Sequence, residues 1–457
     1  MVSAETRYQG GYMAFTDVSL ARLLIALAVL LLAAHGVGAL FAKFKQPPAI
    51  GEIVGGILLG PSALGAAFPS VQHWIFPSTG SSAAALGAVY QIGLLLLMFA
   101  AGTETRRLLQ RDAIRPVALT AAFGLVIPFA AGLGLVAALG VRSFMGTAGN
   151  KSALVLVFGM AVAVTSIPVI TRIMHDVGLL GTRFSRIVLS VAVIEDIVLY
   201  VVLAVAVGLV QAPGSKPFGL PAALNIHTIW QNSVYHTIVA VVFLALALTF
   251  GSRAYKALTG IRANSLARRS PVAFQLMWML ALAAGALALG LVPLYGAFVA
   301  GISVAVANED EIVPERNALA GVSFGFFIPV YFAIIGIQLD LIHHFDVLFF
   351  LGFLAFSCVA KATSVYLGAR LSGEDTFMSK SLAIAMNARG GPGIVLASTA
   401  YAAGIINETF FVSLVLLSVL TSLAAGSWLE RVADRLVGLG DNPEQESPQV
   451  PGELTTT

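Results

Sequence analysis

The sequence predicts an all-α polytopic membrane protein with about thirteen transmembrane helices. Of its 457 residues, 58% are hydrophobic and only 11% are charged, too few charges to cover the surface of a soluble protein. Apolar stretches longer than about 18 residues, the length that spans a bilayer, recur along the chain. The two halves also resemble each other, which predicts an inverted repeat.

Thirteen apolar segments follow one another in the chain, and the second and ninth are short and rich in glycine. They lie at 18–42, 48–64, 83–103, 114–140, 152–174, 185–210, 234–258, 271–291, 294–307, 318–341, 345–369, 378–403 and 409–432. The single cysteine, Cys358, lies in the eleventh segment, so neither a disulfide framework nor a cysteine metal site is expected.

The predicted domain organisation follows from these segments. Residues 1–17 form an N-terminal extracellular segment, 18–432 a membrane domain, and 433–457 a polar, disordered cytoplasmic tail. Most of the 26 Lys and Arg residues fall in loops on one side of the membrane. The positive-inside rule then places the N-terminus outside and the C-terminus in the cytoplasm, which agrees with an odd number of helices.

Repeat one is predicted at 18–210 and repeat two at 271–432, with 234–258 as a linker helix. GEIVGGI at 51–57 resembles GAFVAGI at 296–302, and IGLLLLMFAAGTET at 92–105 resembles IPVYFAIIGIQLD at 328–340. An offset of seven helices gives matched helices opposite orientations. Such an inverted repeat is typical of alternating-access transporters.

Two corresponding helices, the fifth and the twelfth, are predicted to be broken in the membrane. The fifth contains TSIP at 165–168, and the twelfth contains NARGGPG at 387–393. Irregular backbone at this depth is tolerated where it is buried in protein or lines a cavity. Paired broken helices at matching repeat positions therefore indicate the substrate site, although kinks of purely structural origin are the alternative.

Ionisable side chains inside the apolar segments are the candidate functional residues. Glu195 and Asp196 lie near the middle of the sixth segment, and Lys361 and Arg389 lie inside the eleventh and twelfth. Such groups are costly at the bilayer centre and usually mark an ion or proton path. Lys361 needs a carboxylate partner, and Glu195 is the natural candidate, so the pair could also be a purely structural bridge. Arg389 either offsets the carboxylates or caps freed carbonyls.

Three further polar positions leave alternatives open. Thr165 and Ser166 are candidate oxygen ligands for a hard cation, or they satisfy the backbone of the broken helix. Glu52 faces either an entry funnel or the headgroup region. His35 is expected to be a helix-packing residue rather than a pH sensor.

Several motifs together resemble cation–proton antiporter family two, which has the sodium/proton exchanger fold. They are PPAIGEIVGGILLGPSALG at 47–65, VTSIPVITRIMHDVGLLGTRFSRIVLSVAVIEDI at 164–197, FFIPVYFAIIGIQLD at 326–340, the helix of Lys361, and NARGGPGIVLA at 387–397. The resemblance implies a homodimer whose protomers have a core (ion transport) domain and a dimerisation domain.

The resemblance also implies roles for individual residues. Asp196 matches the essential carboxylate that binds the monovalent cation and the proton. Glu195 matches the preceding position, where it replaces a shorter residue, and Lys361 matches the lysine that pairs with it. Thr165, Ser166 and Arg389 match the positions where the broken helices cross.

We therefore expect an antiporter in the prokaryotic inner membrane that exchanges Na⁺, or alternatively K⁺, for protons. Cation and proton would compete for Asp196. The alternatives are an exporter of an organic anion or a cation-complexing metabolite on the same fold, a K⁺ efflux system, a channel and a sensor. No enzymatic activity, no nucleic-acid partner and no cofactor are expected; the ligands would be the transported Na⁺ or K⁺ and H⁺.

Overall fold

The structure, a computed structural model, is almost entirely helical. It describes residues 16–44, 46–105, 114–166, 170–171, 173–174, 177–179, 182–210, 219–224, 229–261, 264–307 and 319–438. The predicted extracellular segment lies outside these ranges up to residue 15, the predicted tail lies outside them from 439, and so does Pro168 of the first predicted break. The tail was predicted to begin at 433, but residues 433–438 continue the last helix, which ends at Gly438.

The described helices follow the predicted segments closely. Those of the first half are α1 (Asp17–Lys43), α2 (Pro48–Leu59), α3 (Pro69–Ile75), α4 (Ser81–Thr105), α5 (Ile114–Leu139), α6 (Lys151–Ala163), α7 (Arg183–Gly208), α8 (Leu220–Ala223), α9 (Ile229–Leu246), α10 (Ser252–Gly260) and α11 (Ser265–Arg269). Those of the second half are α12 (Pro271–Ala288), α13 (Pro293–Ala307), α14 (Ile328–Ile337), α15 (Val347–Leu371), α16 (Thr376–Ala385), α17 (Gly390–Ala402) and α18 (Glu408–Gly438). Single helical turns lie at Pro61–Gly65, Val141–Phe144, Ala247–Gly251 and Ser323–Phe327.

Membrane-spanning length is reached by many of these elements. In the described ranges, ten helices or continuous helical runs are long and apolar enough to cross a bilayer. Two shorter apolar helices, Lys151–Ala163 and Pro293–Ala305, accompany them. The all-α, multi-pass prediction is confirmed, whereas the total of thirteen crossings stays a prediction.

The helices pack into two bundles. The first, here called the scaffold bundle, contains α1, α2, α4, α12, α13 and α14; the second, the core bundle, contains α5, α6, α7, α15, α16, α17 and α18. Between them, α9 packs on α7 of the core bundle, while α10 and the turn before it pack on α13 of the scaffold bundle. The helix predicted as a linker therefore contacts both bundles.

Two close helix crossings in the scaffold bundle correspond to each other across the repeat. Gly56 of α2 meets Gly336 of α14, and Gly301 of α13 meets Gly102 of α4. A Cβ atom at Gly336 would lie 2.8 Å from the Gly56 Cα, and one at Gly301 would lie 3.0 Å from the Gly102 Cα. Small residues let membrane helices approach this closely. The predicted repeat matches α2 with α13 and α4 with α14. The α2–α14 crossing therefore corresponds to the α13–α4 crossing.

Burial places α7 in the interior of the core bundle. The membrane-spanning part of α7 is 72% buried, whereas that of the 234–260 run is 11% buried. Thr182 begins α7 as an N-cap, because its side-chain oxygen accepts a hydrogen bond from the Ser185 amide at 3.2 Å. Any polar side chain in the middle of α7 is consequently enclosed by protein.

Candidate functional site

The two broken helices meet in the core bundle. Helix α6 ends at Ala163, and the chain is irregular between α16 and α17. The Ser166 amide donates a hydrogen bond to the Ala388 carbonyl at 2.7 Å. The Thr165 hydroxyl donates to the Met386 carbonyl at 2.6 Å. The two breaks therefore lie together as predicted, and the Thr165 hydroxyl provides a hydrogen bond to a backbone carbonyl beside the opposite break.

The second break is shorter than the sequence indicates. It was expected over 387–393, but α17 already begins at Gly390. Pro392 lies in the first turn of α17, where a missing amide hydrogen removes no helical hydrogen bond. Gly390 has a φ of 30°, a value that a side chain would oppose. The proline that suggested a longer break therefore lies within the first turn of the next helix.

Lys361 of α15 forms a buried ion pair with Glu195 of α7. Its Nζ lies 2.7 Å from Glu195 Oε1, and both side chains are fully buried. The same ammonium donates to the Gly124 carbonyl at 2.8 Å and to the Ala163 carbonyl. All three donors of the lysine are used. The predicted partner is therefore the observed one, and the longer glutamate reaches it.

Gly124 of α5 is a residue of this cluster that the sequence reasoning missed. A Cβ atom there would lie 3.1 Å from Glu195 Oε1 and 3.0 Å from the Val365 side chain. Glycine at this point leaves room for the ion pair, and its carbonyl accepts one of the lysine protons. The available signal was a glycine in the interior of a long helix, which usually has a packing reason.

Arg389 caps carbonyl groups and pairs with no carboxylate in the described part of the chain. Its guanidinium donates to the carbonyls of Ala161 (3.3 Å), Val162 (3.2 Å), Ser357 (3.0 Å) and Asn387 (3.1 Å). The first two belong to the last turn of α6, where partial negative charge accumulates. Of the two roles considered for Arg389, the geometry supports capping.

Asp196 differs from the other charged side chains of this cluster, because both of its oxygens lack a partner among the described residues. Its side chain is fully buried. An isolated carboxylate in a low-dielectric interior is so costly that it takes up a proton or a positive ion instead. Asp196 therefore has the chemistry of a site at which a proton and a cation exclude each other.

The family model for the sodium/hydrogen exchanger transmembrane region matches residues 26–435. The chain belongs to the sodium/hydrogen exchanger family. This match covers nearly the whole described chain and confirms the resemblance at the level of the family.

Relatives of this exchanger-family chain are found in bacteria and plants. It is 27% identical to a Na⁺/H⁺ antiporter of Synechocystis over 85% of this chain and 91% of the relative. It is 26% identical to a Na⁺/H⁺-K⁺ antiporter of Bacillus cereus over 87% and 92%, respectively. With a cation/H⁺ antiporter of Arabidopsis thaliana it shares 28% identity, and it spans 47% of that longer protein.

A solved structure shows the same fold. The sodium proton antiporter MjNhaP1 from Methanocaldococcus jannaschii aligns with a TM-score of 0.59 at 15% identity. The alignment covers 92% of this chain and 100% of that one. The arrangement of the two bundles is thus the exchanger fold.

Two other sequence candidates lie outside the cluster around the breaks. Glu52 is buried in α2 of the scaffold bundle. Its side chain lies beside Gly38 of α1, where a Cβ atom added to the glycine would be 3.5 Å from the Glu52 Cγ. His35 is exposed, and its ring nitrogen lies 2.9 Å from the Gly325 carbonyl. His35 therefore joins two helices, which agrees with its expected packing role.

Proposed function

We propose that this chain is a secondary antiporter that exchanges a monovalent cation, Na⁺ in the first instance, for protons by alternating access. The observation that carries the proposal is Asp196, a fully buried carboxylate without a protein partner in the described ranges. The relatives named as Na⁺/H⁺ and Na⁺/H⁺-K⁺ antiporters support it.

The proposed coupling arises from competition at one carboxylate. Asp196 holds either a cation or a proton, and either one neutralises its charge. Only the neutralised site crosses the low-dielectric barrier between the two membrane faces, because a bare carboxylate is too costly to move there. Each crossing with a cation is then followed by a return with a proton, which links the two fluxes.

The other polar residues would keep the site in place. Lys361 pairs with Glu195, and Arg389 caps the end of α6. Neither of these positively charged side chains therefore neutralises Asp196 directly. Thr165 and Ser166 belong to the break beside the site. Their backbone or hydroxyl oxygens are proposed as neutral ligands, because hard cations prefer oxygen.

The first prediction tests Asp196 directly. In proteoliposomes with an internal pH indicator, an imposed Na⁺, K⁺ or Li⁺ gradient should move protons in the wild type, and Asp196→Asn should abolish this. Asp434→Asn makes the same chemical change at an exposed position of α18 and should leave exchange intact. Because protons compete with the cation, the apparent KM for Na⁺ should rise as the pH falls. Full exchange by Asp196→Asn would refute the assignment.

We further propose a homodimer in the prokaryotic cell membrane, with the N-terminus outside and the C-terminus in the cytoplasm. The concentration of Lys and Arg in loops on one side supports this orientation. Accessibility of cysteines placed in single loops to an impermeant thiol reagent in intact cells would test it.

A further inference from the structure

Tyr200 of α7 has a buried hydroxyl that the proposed mechanism does not use. The side chain is fully buried. Its hydroxyl has no hydrogen-bond partner among the residues that the structure describes. A buried polar group without a partner costs about 1–3 kcal/mol. A phenylalanine would fill the same space without that cost, so core packing does not explain the hydroxyl.

The helix geometry directs Tyr200 towards Asp196. The two residues are four apart in α7 and therefore lie on the same face, one turn from each other. A long helical side chain leans over the turn on its N-terminal side, which for Tyr200 is the turn of Asp196. The phenol lies near enough to the Asp196 carboxylate and to the phenol of Tyr331 for charges on these groups to affect one another.

The ring of Tyr200 is held by the scaffold bundle. Its centroid lies 4.5 Å from that of Phe298 in α13, with the ring planes at 54°. This contact fixes the ring, so the hydroxyl has little freedom to find another partner. An anionic oxygen and a neutral oxygen, both unpartnered and both buried, thus lie on one face of the same helix.

We propose that the phenol oxygen of Tyr200 is a ligand of the transported cation beside Asp196. A hard monovalent cation takes oxygen ligands, and the hydroxyl supplies a neutral one next to the carboxylate. This inference rests on the proposed exchange of a cation at Asp196.

The test is Tyr200→Phe, which removes one oxygen and keeps the ring against Phe298. Without Na⁺, the purified variant should melt at the same temperature as the wild type or higher, because an unpartnered buried hydroxyl is lost. The stabilisation of the protein by added NaCl, relative to N-methylglucamine chloride at equal ionic strength, should shrink. In proteoliposomes the KM for Na⁺ should rise about tenfold, while the maximal rate stays within about twofold.

Tyr366→Phe is the matched control, since it deletes the same atom from a half-buried tyrosine of α15. It should leave unchanged both the rise in melting temperature on addition of NaCl and the KM for Na⁺. The inference would be overturned if Tyr200→Phe had the same KM for Na⁺ as the wild type and the same rise in melting temperature on addition of NaCl. A large loss of stability without Na⁺ would also overturn it, because the hydroxyl would then have a protein partner.

The outcomes separate this inference from the proposed function. If the wild type exchanges Na⁺ for protons and Asp196→Asn does not, the proposed function stands whatever Tyr200→Phe shows. If the wild type exchanges no alkali cation for protons, both proposals fail together.

Discussion

At the scale of single residues, Lys361 connects four helices of the core bundle. From α15 its ammonium reaches a carboxylate on α7, the Gly124 carbonyl of α5 and the Ala163 carbonyl at the end of α6. The last of these contacts stabilises a helix end that the break leaves without backbone partners. The lysine therefore contributes to the shape of the site as well as to its charge.

Removing this ammonium is expected to destabilise the protein strongly. Lys361→Met leaves Glu195 buried and unpaired, and breaking a buried pair in this way costs about 3–5 kcal/mol. Glu195→Leu combined with Lys361→Met should recover part of the loss, because no unpaired charge is left. Recovery stays incomplete, since the Gly124 and Ala163 carbonyls still lack their donor. Thermal unfolding in detergent, followed by tryptophan fluorescence, measures each step.

Lys380→Met is the control for this series, because it removes a lysine ammonium from an exposed position of α16. Its unfolding temperature should match that of the wild type. If the effects of Glu195→Leu and Lys361→Met were simply additive, the two groups would be energetically independent and the pair would not stabilise the site.

At the scale of helices, the scaffold bundle depends on backbone contact at glycine. At the α2–α14 crossing, a Cβ atom on Gly56 would overlap the Ala333 carbonyl, and one on Gly336 would overlap the Ile53 carbonyl. Backbone atoms cannot rotate away as a flexible side chain can. The distance between the helices is therefore set by the absence of side chains at these two positions.

Gly56→Ala is expected to force α2 and α14 apart and to lower the unfolding temperature, although alanine is the better helix former. Gly87→Ala is its matched control in α4, where nothing lies within 4 Å of the new methyl group. There the same substitution should stabilise by about 0.5–1 kcal/mol. Equal shifts in the two variants would show that the crossing does not require glycine. Thermal unfolding of both proteins in one detergent gives the comparison.

At the scale of the whole molecule, buried apolar side chains of the two bundles form one continuous cluster, and polar and aromatic groups also meet between the bundles. The hydroxyls of Tyr331 in the scaffold bundle and Ser398 in the core bundle lie 3.2 Å apart. Tyr331 also packs on Tyr90 of α4, with ring centroids 5.1 Å apart, inside the scaffold bundle. Alternating access by relative movement of the bundles would break the first contact and keep the second.

Cross-linking can separate these two contacts. Cysteines at 331 and 398, introduced after Cys358 is replaced by serine and joined by a reducible bifunctional thiol reagent, should stop exchange until the reagent is cleaved. Cysteines at 90 and 331 provide the control, because that link lies within one bundle and should leave exchange running. Undiminished exchange by the protein linked between 331 and 398 would show that the bundles do not move apart there.

The sequence alone determined the membrane-spanning helices, the repeat, the paired breaks and the intramembrane charges. These features follow from the cost of polar groups in hydrocarbon, and they can be recognised in short stretches of sequence. Pro392 beside three glycines marks a break, and Glu195-Asp196 in an apolar helix marks a site. Even so, the helix resumes at Gly390, since a proline is tolerated in a first turn.

Only the tertiary structure decided which charges are compensated. Arg389 binds carbonyls of α6 rather than a carboxylate, and Gly124 makes room for the Glu195–Lys361 pair. These outcomes depend on distances between helices that are far apart in the chain. For the same reason, neighbours in sequence differ: α7 directs Glu195 to a lysine, while one residue further along, about 100° around the helix, Asp196 has no partner among the described residues.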